Sequence, residues 1–249
     1  MATPSQKPRG VVTGAAGGIG KAVVRRLLRE GARVLAVDAK AEGLAELGGA
    51  DCETLVGDVT DSTVRAEIAE WADGARYLVN SAGVIVIKPI FDLTVEDWRR
   101  AQTVNAEATF FLCQKVGPRL APGGAIVNLS SSSAKLATTI EVAAYAASKT
   151  TILSITRSFA YALAPRGVRV NAILPGIVET SMQQEVLAGV APMRGLSAEE
   201  WSNARNAVVP LGRGSSPEEC AGLIWFLLSQ EAAYMTGQAI NFTGGLVTW

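Results

Sequence analysis

The chain has 249 residues, 49% of them hydrophobic, with 23 basic and 23 acidic side chains and no histidine. Zero net charge offers no basic field for nucleic acid, and three widely spaced cysteines (Cys52, Cys113 and Cys220) without histidine argue against a zinc site or a disulfide framework. Acid–base chemistry near neutral pH must then come from another kind of group.

Met1 to Arg9 is polar and carries no apolar segment that reads as a signal peptide, and no run in the chain reaches transmembrane length. The expectation is a cytoplasmic protein without a membrane partner. Val11-Val12-Thr13 reads as the first strand. It runs into Thr13-Gly14-Ala15-Ala16-Gly17-Gly18-Ile19-Gly20 and then a helix to Arg29, with Val23, Val24, Leu27 and Leu28 at helical spacing. Glycines between a strand and a helix let the backbone turn sharply and approach a pyrophosphate, which meets the free N–H groups of the helix start. The second strand, Arg33 to Val37, leads to Asp38, 18 residues after Gly20. A carboxylate there accepts hydrogen bonds from both adenosine ribose hydroxyls and repels a 2′-phosphate. Ala39, Ala15 and Ala16 supply no compensating cation, so NAD is favoured over NADP.

Glu53 to Val56 forms the third strand, followed by Asp58-Val59 and a helix capped by Thr60 or Asp61 that runs to Trp71. The fourth strand, Tyr77 to Asn80, leads into Ser81-Ala82-Gly83. Thr94 and Asp97 have capping-box spacing for the next helix, and Asn105 to Val116 continues in helical register. The fifth strand, Ala125 to Leu129, precedes the serine run Ser130 to Ser133, and a long helix carries Tyr145-Ala146-Ala147-Ser148-Lys149 on to Leu163. Val168 to Ile173 is the sixth strand. Ser181 to Asn206 interrupts the alternation and is expected to be a helical insertion that acts as a lid. Pro217 opens a helix after Ser216, and Ala239 to Phe242 is the seventh strand. Most of these strands are apolar on both faces, as strands covered by helices on each side must be. The pattern predicts one α/β domain over residues 1–249, a doubly wound parallel sheet with helices on both faces.

Tyr145 and Lys149 sit one helical turn apart on the same face. An ammonium beside a phenol favours the phenolate, so the pair is expected to lower the tyrosine pKa and make it a usable general acid or base. Alone the spacing also fits an ordinary exposed pair. Asp58 likewise fits a helix-capping turn as well as a nucleotide contact.

Taken together, TGAAGGIG, NSAG, Asn105, the serine run, YAASK and Pro175-Gly176-Ile177-Val178-Glu179-Thr180 resemble the short-chain dehydrogenase/reductase family in its single-domain form, over essentially the whole chain. The resemblance implies a Rossmann-like fold and hydride transfer between NAD and an alcohol or ketone. It places Thr13, Gly14, Gly18, Ile19 and Gly20 at the pyrophosphate and adjacent ribose, Asp38 at the adenosine ribose, and Asp58 and Val59 at adenine. Asn80, Ala82 and Gly83 would line the nucleotide cleft. Pro175, Gly176, Ile177 and Thr180 would flank the nicotinamide, with Ile177 and Thr180 fixing its carboxamide. The catalytic set it implies is Asn105, a serine, Tyr145 and Lys149, and no metal. Tyr145 would exchange the proton, and Lys149 would tune it and bind the nicotinamide ribose. The serine would hold the substrate oxygen, and Asn105 would support a water in the relay. A homotetramer is also implied, with apolar helix faces at Asn105–Val116 and Tyr145–Leu163 available to pair.

The sequence departs from the family pattern in two places. Ser81 stands where a second asparagine is usual. Counting forward from Asn128 selects Ser131 as the catalytic serine, whereas counting back from Tyr145 selects Ser132; Ser131 is preferred because the strand fixes it. The substrate pocket is expected to draw on Val84, Ile85, Val86, Ser133, Lys135, Ile140, Glu141, Val178 and Met182. Lys135 and Glu141 either read a polar substrate or face solvent. The apolar tail ending at Trp249 is expected to pack at an interface or against a pocket. A nucleotide sensor that keeps the fold without chemistry would be expected to lose Tyr145 or Lys149. A family member running an epimerase or lyase reaction is a third alternative, separated by products formed without net change in NADH.

Overall fold

The computed structural model describes residues 7–249, so the polar start of the chain, Met1 to Gln6, lies outside the described residues. Seven strands form one parallel sheet: β1 (Arg9–Thr13), β2 (Arg33–Asp38), β3 (Cys52–Val56), β4 (Tyr77–Asn80), β5 (Ala125–Leu129), β6 (Arg169–Pro175) and β7 (Ala239–Phe242). Their order is β3-β2-β1-β4-β5-β6-β7. The chain winds outward from β1 to β3, returns to β4 beside β1, and then winds the other way. Neighbouring loops therefore diverge between β1 and β4, and that divergence opens the crevice in which ligands of such sheets lie.

Among the described residues, nine α-helices connect and flank the strands: α1 (Gly18–Arg29), α2 (Ala41–Ala45), α3 (Ser62–Trp71), α4 (Val95–Ala101), α5 (Ala108–Val116), α6 (Ala143–Leu163), α7 (Ser181–Met193), α8 (Ala198–Ala207) and α9 (Pro217–Leu228). Strand residues alternate between two cores. Val12, Val34, Ala36, Val79 and Val127 pack with Leu27 of α1 and Ile224 and Leu227 of α9. Val11, Leu35, Val37, Leu78 and Ile126 pack with Ile68 of α3, Leu112 of α5 and Leu163 of α6. Burial on both faces is why the strands lack polar alternation.

The helix starts follow their capping chemistry. Asp61, rather than Thr60, caps α3 by accepting from the Thr63 N–H, and Thr94–Asp97 and Ser216–Glu219 form complete capping boxes. The insertion is an antiparallel pair, α7 and α8, joined by a short turn. A π-turn over Gln102–Glu107, between α4 and α5, is a feature the apolar periodicity did not predict. Such turns shift the side-chain register and occur often at functional sites. No helix among the described residues is long and apolar enough to cross a membrane.

Candidate active site

A cleft of about 550 Å³ opens beyond the carboxyl ends of the strands. One wall is the turn after β1. Gly14 has φ +66°, and a Cβ there would lie 2.7 Å from the Ala82 backbone nitrogen, so the β1 and β4 loops touch through a position only glycine fits. A Cβ on Gly20 would drive into the Gly14 carbonyl. Helix α1 begins at Gly18 with no side-chain cap and no acidic residue in its first turn. Its N–H groups and positive dipole end are therefore left for an external anion. At the far side of this turn, Asp38 ends β2. Its carboxylate accepts from the Ala16 N–H at 2.9 Å and from the Lys40 N–H at 2.9 Å. These features fit a dinucleotide: glycines that no Cβ could replace, uncapped donors, and a fixed carboxylate at the end of the neighbouring strand.

The structure places the sequence-predicted residues as follows. Gly14, Gly18, Ile19, Gly20, Asp38, Asp58, Val59, Ala82, Gly83, Pro175, Gly176 and Thr180 line the cleft, together with Ser131, Tyr145 and Lys149. Asp58 also accepts from the Thr60 N–H at 2.8 Å, so lining and turn-forming coexist. Thr13, Asn80, Asn105 and Ile177 stand behind the lining. The Thr13 hydroxyl accepts from the Ala82 N–H at 3.3 Å. Asn80 donates to Asn128 Oδ1 at 2.8 Å, and Asn128 donates to Thr156 on α6 at 3.0 Å, a buried polar strut between the sheet and the helix. The Ile177 carbonyl accepts from the Ser215 N–H at 2.9 Å.

Tyr145 and Lys149 lie in the first turns of α6, both buried. Lys149 Nζ donates to the Leu129 carbonyl at 2.8 Å and lies 5.6 Å from the centre of the Tyr145 ring. Burial lowers its pKa to about 8. The expectation that the lysine depresses the tyrosine pKa needs correction. Burial is the first cause acting on Tyr145 and raises its pKa; the neighbouring Ser131 hydroxyl opposes that shift as a hydrogen-bonding partner. The ammonium is turned toward a carbonyl and has itself lost solvation, so in the protein alone the phenol stays protonated. Ser131 rather than Ser132 is the hydroxyl beside the phenol. It is also held from behind, accepting from the Ser133 N–H at 3.1 Å.

Asn105, in the π-turn, is fully buried. It accepts from the Val84 N–H at 2.8 Å and donates to the Val84 carbonyl and to Ser148 Oγ, each at 2.9 Å. Ser148 in turn donates to the Tyr145 carbonyl at 2.7 Å. One amide thus ties the β4 loop to the helix turn that carries Tyr145.

Val84, Ile85, Ser133, Val178 and Met182 line the cleft as expected; Val86, Lys135, Ile140 and Glu141 do not. Neither expected role for Glu141 holds, because it is buried away from both solvent and cleft. It accepts two hydrogen bonds from Arg194, at 3.0 and 2.8 Å. Half-buried Lys135 donates to the Trp249 main-chain oxygen, which also accepts from Asn241 at 3.0 Å. Trp249 as a residue is 71% exposed, while Val247 packs inside. Lys40 also lines the cleft beside Asp38, a cation the sequence reading did not weigh, and Arg205 and Gln183 line it from the insertion.

The family model described as Enoyl-(Acyl carrier protein) reductase matches residues 14–247. The chain belongs to the short-chain dehydrogenase/reductase family. Among relatives in this family, a D-threitol dehydrogenase of Mycolicibacterium smegmatis is 37% identical over 94% of this chain and 91% of its own. A 3-oxoacyl-[acyl-carrier-protein] reductase of Thermotoga maritima is 37% identical over 95% and 96%. Among solved structures, a variant of actinorhodin polyketide ketoreductase with NADPH superposes with a TM-score of 0.90 at 31% identity, covering 100% of both chains. The short-chain dehydrogenase/reductase fold thus comes with named relatives that are oxidoreductases of alcohols or ketones, and one solved neighbour holds a nicotinamide dinucleotide.

Proposed function

We propose that this protein is an NAD-dependent oxidoreductase that interconverts a secondary alcohol and its ketone. The observation that carries the reading is the shared cleft. A glycine turn with uncapped helix donors and Asp38 stand at one end, and a buried Tyr145–Lys149–Ser131 group stands at the other.

Thr13, Gly14, Gly18, Ile19 and Gly20 would hold the pyrophosphate and its neighbouring ribose. Asp38 would hold the adenosine ribose, and Asp58 and Val59 the adenine. Ala82 and Gly83 line the path, with Asn80 bracing it from behind, and Pro175, Gly176, Ile177 and Thr180 frame the nicotinamide end. A bound NAD supplies the hydride acceptor for alcohol oxidation and a cationic ring that favours the phenolate. Tyr145 takes the alcohol proton, or returns it to the ketone oxygen in reduction. Ser131 holds that oxygen by a hydrogen bond. Lys149, with a pKa of about 8, is poised to carry a proton toward solvent and to bind the ribose hydroxyls. Asn105 braces the relay from the π-turn.

NAD is favoured because the Asp38 carboxylate, fixed by two backbone N–H groups, would repel a 2′-phosphate if the adenosine ribose binds at the end of β2. Polyols and vicinal diols are the first substrates to try, given the D-threitol dehydrogenase likeness. The test is a screen for NADH formation with polyols, cyclic alcohols, aryl alcohols and hydroxy acids. The reading fails if none gives turnover, or if Tyr145→Phe turns over like the parent. Pairing of subunits through α5 and α6, where Phe110 and Tyr161 are exposed, belongs to the same reading, and light scattering should report a tetramer.

A further inference from the structure

Arg205 is the one cleft-lining cation contributed by the α7–α8 insertion. Its Nη1 donates to Gln183 Oε1 at 2.9 Å, and Gln183 also lines the cleft. Among the described residues no carboxylate lies within ion-pair distance of it, and its remaining N–H groups have no protein partner. They are not sealed in the interior either, so they are free to meet a ligand. Cleft-lining Glu185 is exposed and makes no ion pair among the described residues. Arg194, the other guanidinium of the insertion, is already occupied by Glu141. Desolvation and the like charge of Arg194 both hold the Arg205 pKa below the usual arginine value.

Contacts lead from Arg205 to the glycine turn. Gln183 is in the first turn of α7, and its N–H donates to the Thr180 hydroxyl at 3.3 Å. Thr180 packs on the glycine turn, where a Cβ on Gly18 would lie 2.6 Å from Thr180 Cγ2. Helices α7 and α8 are antiparallel: Trp201 meets Arg194 at one end, and Arg205 meets Gln183 at the end near the turn. Through Gln183 and Thr180, the unpaired guanidinium of the insertion shares the cleft with the uncapped N-terminus of α1.

We propose that Arg205 is an oxyanion-binding residue of the α7–α8 insertion, which reaches the pyrophosphate that the glycine turn would hold. The proposal rests on the NAD reading above. A guanidinium recognises a phosphate by paired N–H donors, while Gln183 orients it.

The test is direct binding. NADH is titrated by fluorescence, and ADP-ribose and adenosine by calorimetry, against the parent, Arg205→Gln and Arg205→Lys, with melting temperatures checked. Arg205→Gln should weaken NADH and ADP-ribose about tenfold, as loss of a charged hydrogen bond does. Adenosine should be unaffected, and Arg205→Lys should recover part of the loss. Rising salt should weaken NADH binding more steeply for the parent than for Arg205→Gln. Unchanged NADH and ADP-ribose affinities in Arg205→Gln overturn the proposal. So does a loss confined to the KM of acidic substrates, which would assign the cation to a substrate carboxylate. If the parent itself binds no NADH, the underlying cofactor reading fails instead.

Discussion

Replacing Arg194 with methionine should release the α7–α8 insertion from the segment that precedes Tyr145. Arg194 makes two hydrogen bonds to Glu141, whose side chain is 11% exposed against 27% for the arginine. The guanidinium also lies 4.1 Å over the Trp201 ring and donates to the Thr138 carbonyl at 3.3 Å. Fully exposed ion pairs contribute about 0–1 kcal/mol, and breaking a buried one costs about 3–5 kcal/mol. A half-buried pair with a deeply placed carboxylate falls between, at about 2 kcal/mol. The methionine stem keeps most of the packing, so the loss should be mainly electrostatic. It should appear as local opening, because the pair joins two surface segments rather than the sheet. Hydrogen exchange of the α7 and α8 amides, read by mass spectrometry, should then speed up about thirtyfold. Adding Glu141→Gln should restore part of the protection, since the double variant leaves no buried charge unpaired. The arginine holds the Glu141 pKa below its ordinary 4.5. The contribution is therefore complete above about pH 4.5 and disappears as pH falls through the folded value. Exchange in α7–α8 within about threefold of the parent, or strictly additive single effects, would refute this account of the Arg194–Glu141 pair.

Tyr145→Phe should lower kcat by about a thousandfold while leaving the NADH dissociation constant within about threefold, because the phenol acts on the proton and the ring remains. Asp38→Ala should weaken NAD much more than NADP; equal effects in paired titrations contradict the ribose assignment. Between about pH 8 and 10 the unfolded chain binds more protons than the folded protein at Lys149, whose pKa falls from 10.5 to about 8 on burial. Stability should therefore rise with pH across that window, and Lys149→Met should flatten the rise in urea melts. Gly14→Ala should abolish NADH binding and lower the melting temperature, since the φ is +66° and the new methyl meets the Ala82 backbone at 2.7 Å.

All seven strands were legible because each is a short run between helices, most of them buried on both faces, and capping boxes such as Thr94–Asp97 mark helix starts by local chemistry alone. The glycine turn and Asp38 were legible for a similar reason: their placement depends on backbone conformation and strand position, which spacing preserves. Tertiary partners left no such trace. Asn80 stands at the end of its strand as expected, yet its side chain faces Asn128 rather than the cleft, a choice set by the facing strand and helix. Glu141 pairs with a residue 53 positions away, and Arg205 enters the cleft only through the fold of the insertion. The π-turn at Gln102–Glu107 keeps an ordinary helical sequence and is fixed by Asn105 bonding to Val84 and Ser148. The direction of the Tyr145 shift also needed the structure, because i, i+4 spacing brings Lys149 to the right face without deciding where its ammonium points.

Direct transfer of a labelled hydride tests the central claim best. A diol or polyol that gives turnover is prepared with deuterium on its carbinol carbon and incubated with NAD and the parent protein. The account predicts deuterium at nicotinamide C4 of the NADH formed, on one face only, and NADH formation about a thousandfold slower with Tyr145→Phe. Unlabelled NADH from labelled substrate, or full turnover in Tyr145→Phe, would contradict it.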